Sequence, residues 1–441
     1  MKTQQVAHRA IADLRPRKGN PRTHSKKQLE QLARSIQKFG FTNPILIDDD
    51  DGLIAGHGRL EAAKMLGMAE VPAIRLSNMS EADIRAYVIA DNKLAENAGW
   101  DRKLLSVEFQ YLSELNFDFD LTITGFDLPE IDVLISAAEE ASGDPADVVP
   151  PLSEDPPVTR PGDIWQIGPH RLICGDATQP DTYDRLLDGE KAAMAFTDPP
   201  YNVPIDGHVS GLGKVKHREF AMASGEMTSD EFTSFLFKTF NQLGRVSVNG
   251  ALHFHCIDWR HLKEMIAAGE MAYSELKNLC VWAKTNGGMG SLYRSAHELV
   301  LLFKVGSGVH VNNVELGRHG RYRTNVWTYA GANSFSATRD QDLASHPTVK
   351  PVAMVADAML DCSRRKDIVI DAFAGSGTTL VAAQRTGRRG YGIEIDPAYC
   401  DLIVGRLEAL SKHKATLVGD ERTFEAVAAE RRRHAGEEVA A

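Results

Sequence analysis

An acid, two prolines and an aromatic ring stand together at Asp198-Pro199-Pro200-Tyr201, directly after the apolar run Ala192–Thr197. The run reads as a buried parallel strand. The prolines end it, because proline cannot donate to a sheet ladder. Asp198 and Tyr201 are then held on a stiff turn at the strand's carboxyl end, where open α/β sheets carry their ligand crevice. An acceptor, a rigid backbone and a stacking ring suit one purpose, which is to hold a flat, amino-bearing ring and make its nitrogen react. A second turn, Asp371-Ala372-Phe373-Ala374-Gly375-Ser376-Gly377-Thr378-Thr379, follows the apolar run Ile368–Ala372 and opens a helix. Strand, glycine loop and helix make a nucleotide-type site. No Gly-Lys-Ser/Thr follows, so this is not a Walker A loop. Glu394 ends the next apolar run about twenty residues on, where a carboxylate can accept both hydroxyls of a ribose. The ligand therefore carries a ribose and needs no phosphate cradle.

The elements that must position these residues fall on either side of an acidic, Pro-rich stretch at 141–161, which reads as a linker. Before it lie a helix capped by Ser25 and running to about Phe39, short strands at Pro44–Ile47, Leu53–Ala55 and Val71–Arg75, and a helix opening at Gly56. Further helices are expected at Ser80–Ala90 and Trp100–Leu115. After it, strands at Arg171–Cys174, Ala192–Thr197, Gly250–His255, Leu279–Trp282, Leu299–Phe303, Ile368–Ala372 and Gly390–Ile395 alternate with helices. That alternation predicts an α/β fold with a doubly wound, mostly parallel sheet. The division expected is 1–140, the linker 141–161, a catalytic domain 162–425 and a polar tail 426–441.

With 441 residues, the chain has room for two or three domains. It lacks an apolar run long enough to span a bilayer and an apolar leader, so a cytoplasmic protein without membrane contact is expected. Five scattered cysteines, none in a C-x-x-C pair, read as reduced core thiols. The net charge of −10 hides a basic stretch from Lys2 to Lys38 and a stretch from Leu104 to Thr159 without Lys or Arg. A local basic face matters more for phosphate binding than the sum. His253, His255, Cys256 and His261 are zinc-type ligands, but alternation on a buried strand explains the first two better; no metal is expected.

Asp198–Tyr201, Phe373–Gly377, the segment Ser345-His346-Pro347-Thr348-Val349-Lys350-Pro351 and the opening Gly168–Asp176 together resemble the S-adenosylmethionine-dependent amino-methyltransferases of DNA, over roughly residues 160–412. The catalytic motif precedes the cofactor motif, as in the β subgroup, a permuted Rossmann-like methyltransferase. The resemblance implies S-adenosylmethionine as methyl donor and Asp198, Pro199, Pro200 and Tyr201 as catalytic residues. It implies Asp176, Lys350, Asp371, Phe373, Gly375, Gly377, Thr378 and Glu394 around the cofactor, with Asp176 at the adenine amine and Lys350 near the methionine end. Gly419-Asp420 is a rival for the first of those roles. Ala372 departs from the family's usual proline. No cysteine follows a proline, so the nucleophile of ring-carbon methyltransferases is missing.

Asp before Pro-Pro-Tyr is commoner in enzymes acting on adenine N6, and Ser in those acting on cytosine N4. The expected substrate is therefore adenine in double-stranded DNA, flipped from the duplex. Cytosine N4, RNA, or a DNA-binding protein with a vestigial catalytic half are the alternatives. Lys214, Lys216 and Arg218 after the catalytic motif, and Arg318, Arg321 and Arg323 in a target-recognition region at about 304–345, are candidate DNA contacts. Lys284, with Trp282, Tyr293 and Glu298, resembles the family's late motif around the flipped base.

Asn20-Pro21-Arg22, the helix before Phe39-Gly40, Pro44–Ile47 and Gly56-His57-Gly58-Arg59 resemble the ParB N-terminal domain, over about residues 5–95. This implies a small α+β, ParB/sulfiredoxin-like domain. The family's Gly-Glu-Arg-Arg is altered, which argues against nucleotide hydrolysis. DNA binding is expected of it, with nucleotide binding or a structural role as alternatives, and no helix-turn-helix is evident after it. A homodimer is a further partner expected under this reading.

Overall fold

The computed structural model describes residues 5–17, 21–114, 120–139, 149–153, 155–202, 225–284, 292–315, 321–329 and 350–440. The chain divides into two units, residues 1–139 and 140–441. No described helix is long and apolar enough to cross a membrane.

In the first unit, strands β1 (Val6–Ala10), β2 (Ile45–Ile47), β3 (Leu53–Ala55) and β4 (Glu70–Arg75) form a sheet in the order β1-β4-β2-β3. Helix α1 (Lys26–Phe39) begins where the Ser25 side chain accepts the Gln28 N–H at 3.2 Å. Helix α2 (His57–Met65) starts after Gly56, whose φ of +96° favours glycine. Ile45, Ile47, Leu53, Leu60 and Val71 form the core. β1 was not foreseen, because Val6-Ala7-His8-Arg9-Ala10 is exposed and lacks alternation. Helix α3 (Glu81–Glu96) opens on a Ser80–Asp83 capping box and runs six residues past the expected end at Ala90.

Helices α4 (Arg102–Glu114) and α5 (Leu128–Glu139) close this unit around Phe109, Leu121, Ile131 and Leu134. α5 lies in the acidic stretch ahead of the expected linker, and Asp127 and Glu130 mark its start. The linker is shorter than expected at its far end. The N–H groups of Val158 and Thr159 donate to the Asp401 carboxylate at 2.6 and 3.0 Å, which docks them on the second unit.

The second unit is built on one sheet of ten strands among the described residues. In chain order these are β5 (Ile164–Ile167), β6 (His170–Cys174), β7 (Ala192–Thr197), β8 (Ser247–Ile257), β9 (Glu275–Lys284), β10 (His297–Lys304), β11 (Val326–Tyr329), β12 (Ile368–Asp371), β13 (Arg389–Glu394) and β14 (Ala415–Leu417). Their spatial order is β11-β9-β10-β8-β7-β12-β13-β6-β5-β14. The central strands β8, β7, β12, β13 and β6 are parallel, while β10 and β5 are antiparallel to their neighbours. From β7 the chain winds outward to β8, and from β12 it winds the other way to β13, so the switch point lies between β7 and β12. There Met194 pairs with Val369 and Ala195 with Ile370.

Alternation along the central strands feeds two cores. Met194 and Phe196 pack with helices α9 (Val352–Cys362), α10 (Thr378–Thr386) and α11 (Pro397–Ser411). Ala195 and Ala192 face the opposite side, with helices α6 (Pro180–Leu187), α7 (Ser229–Arg245) and α8 (Leu262–Ala272). The sheet is therefore doubly wound, as its alternating sequence predicts. The expected polar tail is instead helix α12 (Phe424–Ala440): Phe424 packs edge-on to Trp165 at 5.0 Å, and Val427 is buried. All five cysteines are free and buried.

Candidate active site

Asp198 leaves the carboxyl end of β7 beside the glycine turn that leaves β12. The two prolines remove two of this turn's backbone donors, so its ends matter most in fixing it. At the far end stands Asn202, in a left-handed conformation with φ +51°. Its side chain donates to the Met227 carbonyl at 2.7 Å and accepts the Gly225 and Met227 N–H groups, each at 3.1 Å. Sequence reasoning missed Asn202. The signal available was an Asx residue directly after the motif, a type that tolerates left-handed backbone.

Both carboxylate oxygens of Asp198 are engaged. Oδ1 accepts the Tyr201 hydroxyl at 2.5 Å, and Oδ2 takes the Lys350 ammonium at 2.6 Å. Lys350 also meets Glu298 Oε2 at 3.1 Å, and Glu298 Oε1 is ion-paired to Lys284. The Lys350 ammonium lies 5.5 Å from the Tyr201 ring centre and 5.9 Å from that of Trp282. The result is an alternating row: Lys284, Glu298, Lys350, Asp198. Only 5% of the Lys350 side chain is exposed, against 21% of Asp198.

Burial disfavours charge on each member of the row, and the neighbours decide the outcome. For Lys350, Asp198 and Glu298 outweigh burial and hold its pKa up. For Glu298, Lys350 and Lys284 outweigh burial and lower it. For Asp198, burial and the nearby Glu298 prevail over Lys350 and raise it. Burial and the two carboxylates raise the Tyr201 phenol well above its usual value, so its hydroxyl remains a donor.

The glycine turn lies across the switch point. Phe373 N–H bonds Asp371 Oδ1 at 3.0 Å, and Gly375 N–H bonds Glu394 Oε2 at 2.8 Å. Gly375 and Gly377 hold φ of +52° and +85°. Thr378 opens α10 and is buried. Burial pushes Asp371 and Glu394 each up to about 7. Asp176 follows β6, which pairs with β13 at Cys174 and Glu394, so the two acids share one sheet edge. Its Oδ1 accepts the Thr178 N–H and hydroxyl. The rival Asp420 is occupied by Arg422.

Lys350 thus stands against Asp198 itself, rather than only near the glycine turn as expected. Two expected DNA contacts are also corrected. Arg321 is bonded to Asp357 and Asp361 with 6% of its side chain exposed. Arg323 joins the same two acids and the Tyr329 hydroxyl. Complementary acids one helical turn apart on α9 bind both arginines, a pairing over long sequence separation that no local pattern reveals. Lys284 serves the ionic row. Lys214, Lys216, Arg218, Arg318 and about half of the expected target-recognition region lie outside the described residues. Trp282 is buried, and its indole N–H donates to the Tyr329 carbonyl at 3.1 Å. In the first unit, His57 Nε2 and Arg59 Nε are buried without a hydrogen-bond partner among the described residues. A side chain at Gly58, where the ParB pattern has its first arginine, would crowd His24 and Leu32 at 3.0 and 3.1 Å, whereas the second arginine is kept as Arg59.

Replacing Lys350 with Met should leave two buried carboxylates facing each other and lower stability by about 3–5 kcal/mol at neutral pH. Protonation relieves that repulsion. The deficit in denaturation midpoint against the unsubstituted protein should therefore be larger at pH 8 than at pH 5. An equal deficit at both would contradict the ionic row.

Residues 192–405 match the family model described as DNA methylase, residues 103–161 the ParB-methyltransferase HTH domain, and residues 1–92 the ParB N-terminal domain. The second match corrects the expectation that no helix-turn-helix follows. It was missed because the matched stretch carries no Lys or Arg from Leu104 to Thr159, and basic residues are how such a motif is recognised. The chain is 49% identical over 76 residues to the ParB-like nuclease domain-containing protein YnaK of Escherichia coli (strain K12), covering 17% of this chain and 87% of that one. It is 27% identical over 247 residues to the type II methyltransferase M2.DpnII of Streptococcus pneumoniae, covering 52% and 88%. The crystal structure of an M1.HpyAVI–SAM complex aligns with 54% of this chain and 98% of its own, at 19% identity and a TM-score of 0.40.

Proposed function

Because the chain belongs to the N6/N4 DNA methylase family, with a ParB-like domain ahead of the methyltransferase, we propose that it methylates the exocyclic N6 of adenine in double-stranded DNA. The observation that carries this reading is an aspartate at the switch point, one strand away from the glycine turn and its buried acid. The choice of adenine rests on Asp198 being an aspartate.

The residues present fit S-adenosylmethionine. Burial raises Asp371 and Glu394 to about 7, and the backbone donors each already accepts only partly offset it. A ligand bearing a sulfonium, an ammonium and two ribose hydroxyls supplies positive charge and further donors. Glu394 would accept the ribose hydroxyls, Asp176 the adenine amine, and Phe373, Gly375, Gly377 and Thr378 would line the path of the methionine part. When bound, the cofactor supplies an electrophilic methyl group.

The chain's own residues do the rest. An aromatic amine is a poor nucleophile because its lone pair is delocalised into the ring. Asp198 accepts one N–H of the target amine and the Pro199 carbonyl the other, which localises that lone pair. For this, the amine must take an Asp198 oxygen now held by Tyr201 or Lys350. Tyr201 can release its hydroxyl to Glu298 Oε2, already 3.2 Å away, and present its ring to the base. Lys350 stays to offset the charge. Alignment of nucleophile and methyl group supplies much of the acceleration.

Incubation with methyl-labelled cofactor and DNA, followed by digestion to nucleosides, should give N6-methyladenine. Asp198→Ala should cut the transfer rate by roughly 10²–10³-fold or more while leaving cofactor binding in place. Label in N4-methylcytosine would overturn the choice of base, and no transfer would leave a DNA-binding protein.

Cofactor affinity should depend on pH. A carboxyl near 7 must be ionised to receive a cation and two donors, so binding below pH 7 must expel its proton. Affinity measured by calorimetry should rise roughly tenfold from pH 6 to pH 8. Glu394→Gln should weaken binding and flatten the rise. A flat profile in the unsubstituted protein would contradict an ionised acceptor.

For the first unit we propose DNA binding through the basic side chains around α1, supported by exposed Lys26, Arg34 and Lys38. Changing all three to Ala should make the dependence of log affinity on log salt shallower, by about 0.9 for each phosphate no longer neutralised. An unchanged slope would remove this face from the interface.

A further inference from the structure

Directly beneath the catalytic turn lies a chain of buried polar groups that the proposed chemistry does not use. Thr197, the residue before Asp198, is fully buried and pairs across the sheet with His255. Its hydroxyl lies 2.7 Å from His255 Nδ1. His255 Nε2 lies 2.9 Å from the Tyr273 hydroxyl, which lies 3.1 Å from His253 Nδ1. His253 Nε2 lies 2.9 Å from the Ser247 hydroxyl, which donates to the Leu243 carbonyl at 2.7 Å.

Counting protons fixes every bond in this chain. The Leu243 carbonyl can only accept, so the single Ser247 proton goes there. Ser247 must then accept from His253 Nε2–H. Neutral His253 has one N–H, so its Nδ1 accepts from Tyr273. The phenol proton is thereby used, and the Tyr273 oxygen must accept from His255 Nε2–H. His255 Nδ1 is left to accept from Thr197. All donors thus point one way, from Thr197 to the last turn of α7. Burial lowers His253 to about 3 and lowers His255 well below its usual value, so both rings are neutral.

The position of the chain suits it to anchoring the turn. Pro199 and Pro200 cannot be anchored through N–H groups, and Asn202 secures only the far end of the turn. On the near side, Thr197 is the last side chain that can be pinned before the acid. We propose that Thr197, His255, Tyr273, His253 and Ser247 form a one-directional, neutral relay that positions Asp198 for methyl transfer. It rests on the methyltransferase reading above. None of the five is a catalytic residue. They act through the Thr197–Asp198 backbone, and a small displacement there is enough to cost up to roughly a hundredfold in rate.

The test uses the full chain. Tyr273→Phe keeps the ring and removes the hub, and Thr197→Val keeps the shape and removes the first donor. Each should lower kcat by roughly 10–100-fold with KM for DNA and affinity for S-adenosylmethionine within about threefold of the unsubstituted protein. The double variant should be no slower than the slower single one, because both break the same chain. A kcat within twofold, a loss matched by weaker cofactor binding, or multiplying effects would each overturn the relay. If the variants do not fold, ¹⁵N-imidazole spectra of the unsubstituted protein decide: His253 and His255 should both be neutral Nε2–H tautomers, and an Nδ1–H tautomer or an imidazolium at either overturns it. A protein that transfers no methyl group at all sinks the methyltransferase reading and the positioning role with it. One that transfers while Tyr273→Phe equals it sinks the relay alone.

Discussion

The parallel pairing of Ala192–Thr197 with Ile368–Asp371 is the constraint from which the site follows. The chain between these strands includes four other strands of the sheet, yet they end side by side at one edge. Each ends in a turn its neighbour cannot continue: prolines after Asp198, left-handed glycines after Asp371. A gap opens between the diverging connections. Because the geometry depends on adjacency and not on chain order, the permuted order of the motifs leaves the crevice intact.

That gap collects more negative charge than a buried region tolerates alone. Asp198, Glu298, Asp371 and Glu394 all border it. Two solutions divide the problem. On the β7 side, Lys350 and Lys284 interleave with Asp198 and Glu298, so that side is balanced within the chain. On the β12 side burial prevails, and Asp371 and Glu394 hold their protons to about pH 7. The asymmetry matches the division of labour. Under the proposed roles, the side that would meet a neutral base is self-compensated, while the side that would meet a cationic cofactor is the one whose acids keep their protons.

The sequence made legible what is local. Helix α1 runs from its Ser25 cap to Phe39, as expected, because the cap and Gly40 mark its ends. Asp198–Tyr201 and Asp371–Glu394 were legible as motifs for the same reason. Edge strands were not. β11 and β14 are short, and only pairing with β9 and β5 makes them strands. Partnerships were not legible either. Arg321 and Arg323 look like a basic loop until α9 presents Asp357 and Asp361 to them. Lys350 was recognisable as part of a motif, but its contact with Asp198 bridges 152 residues of chain. Asp176 and Asp420 each follow a glycine, in two separate Gly-Asp dipeptides, and only their surroundings tell them apart.

The same contrast explains why the polar groups beneath the turn differ in kind from those above it. Above, the proposed reaction requires the row to exchange partners when a base arrives, and Tyr201 has two acceptors within reach. Below, His253, His255 and Tyr273 are sealed in apolar packing with Phe240 and Phe303. A charge there would have no counterion, so only a neutral chain in which every donor meets one acceptor is stable. Such a chain has a single arrangement of protons and cannot drift with pH near neutrality. A fixed floor and an adjustable ceiling are what a turn poor in backbone donors needs to hold its acid still while its ring changes partners.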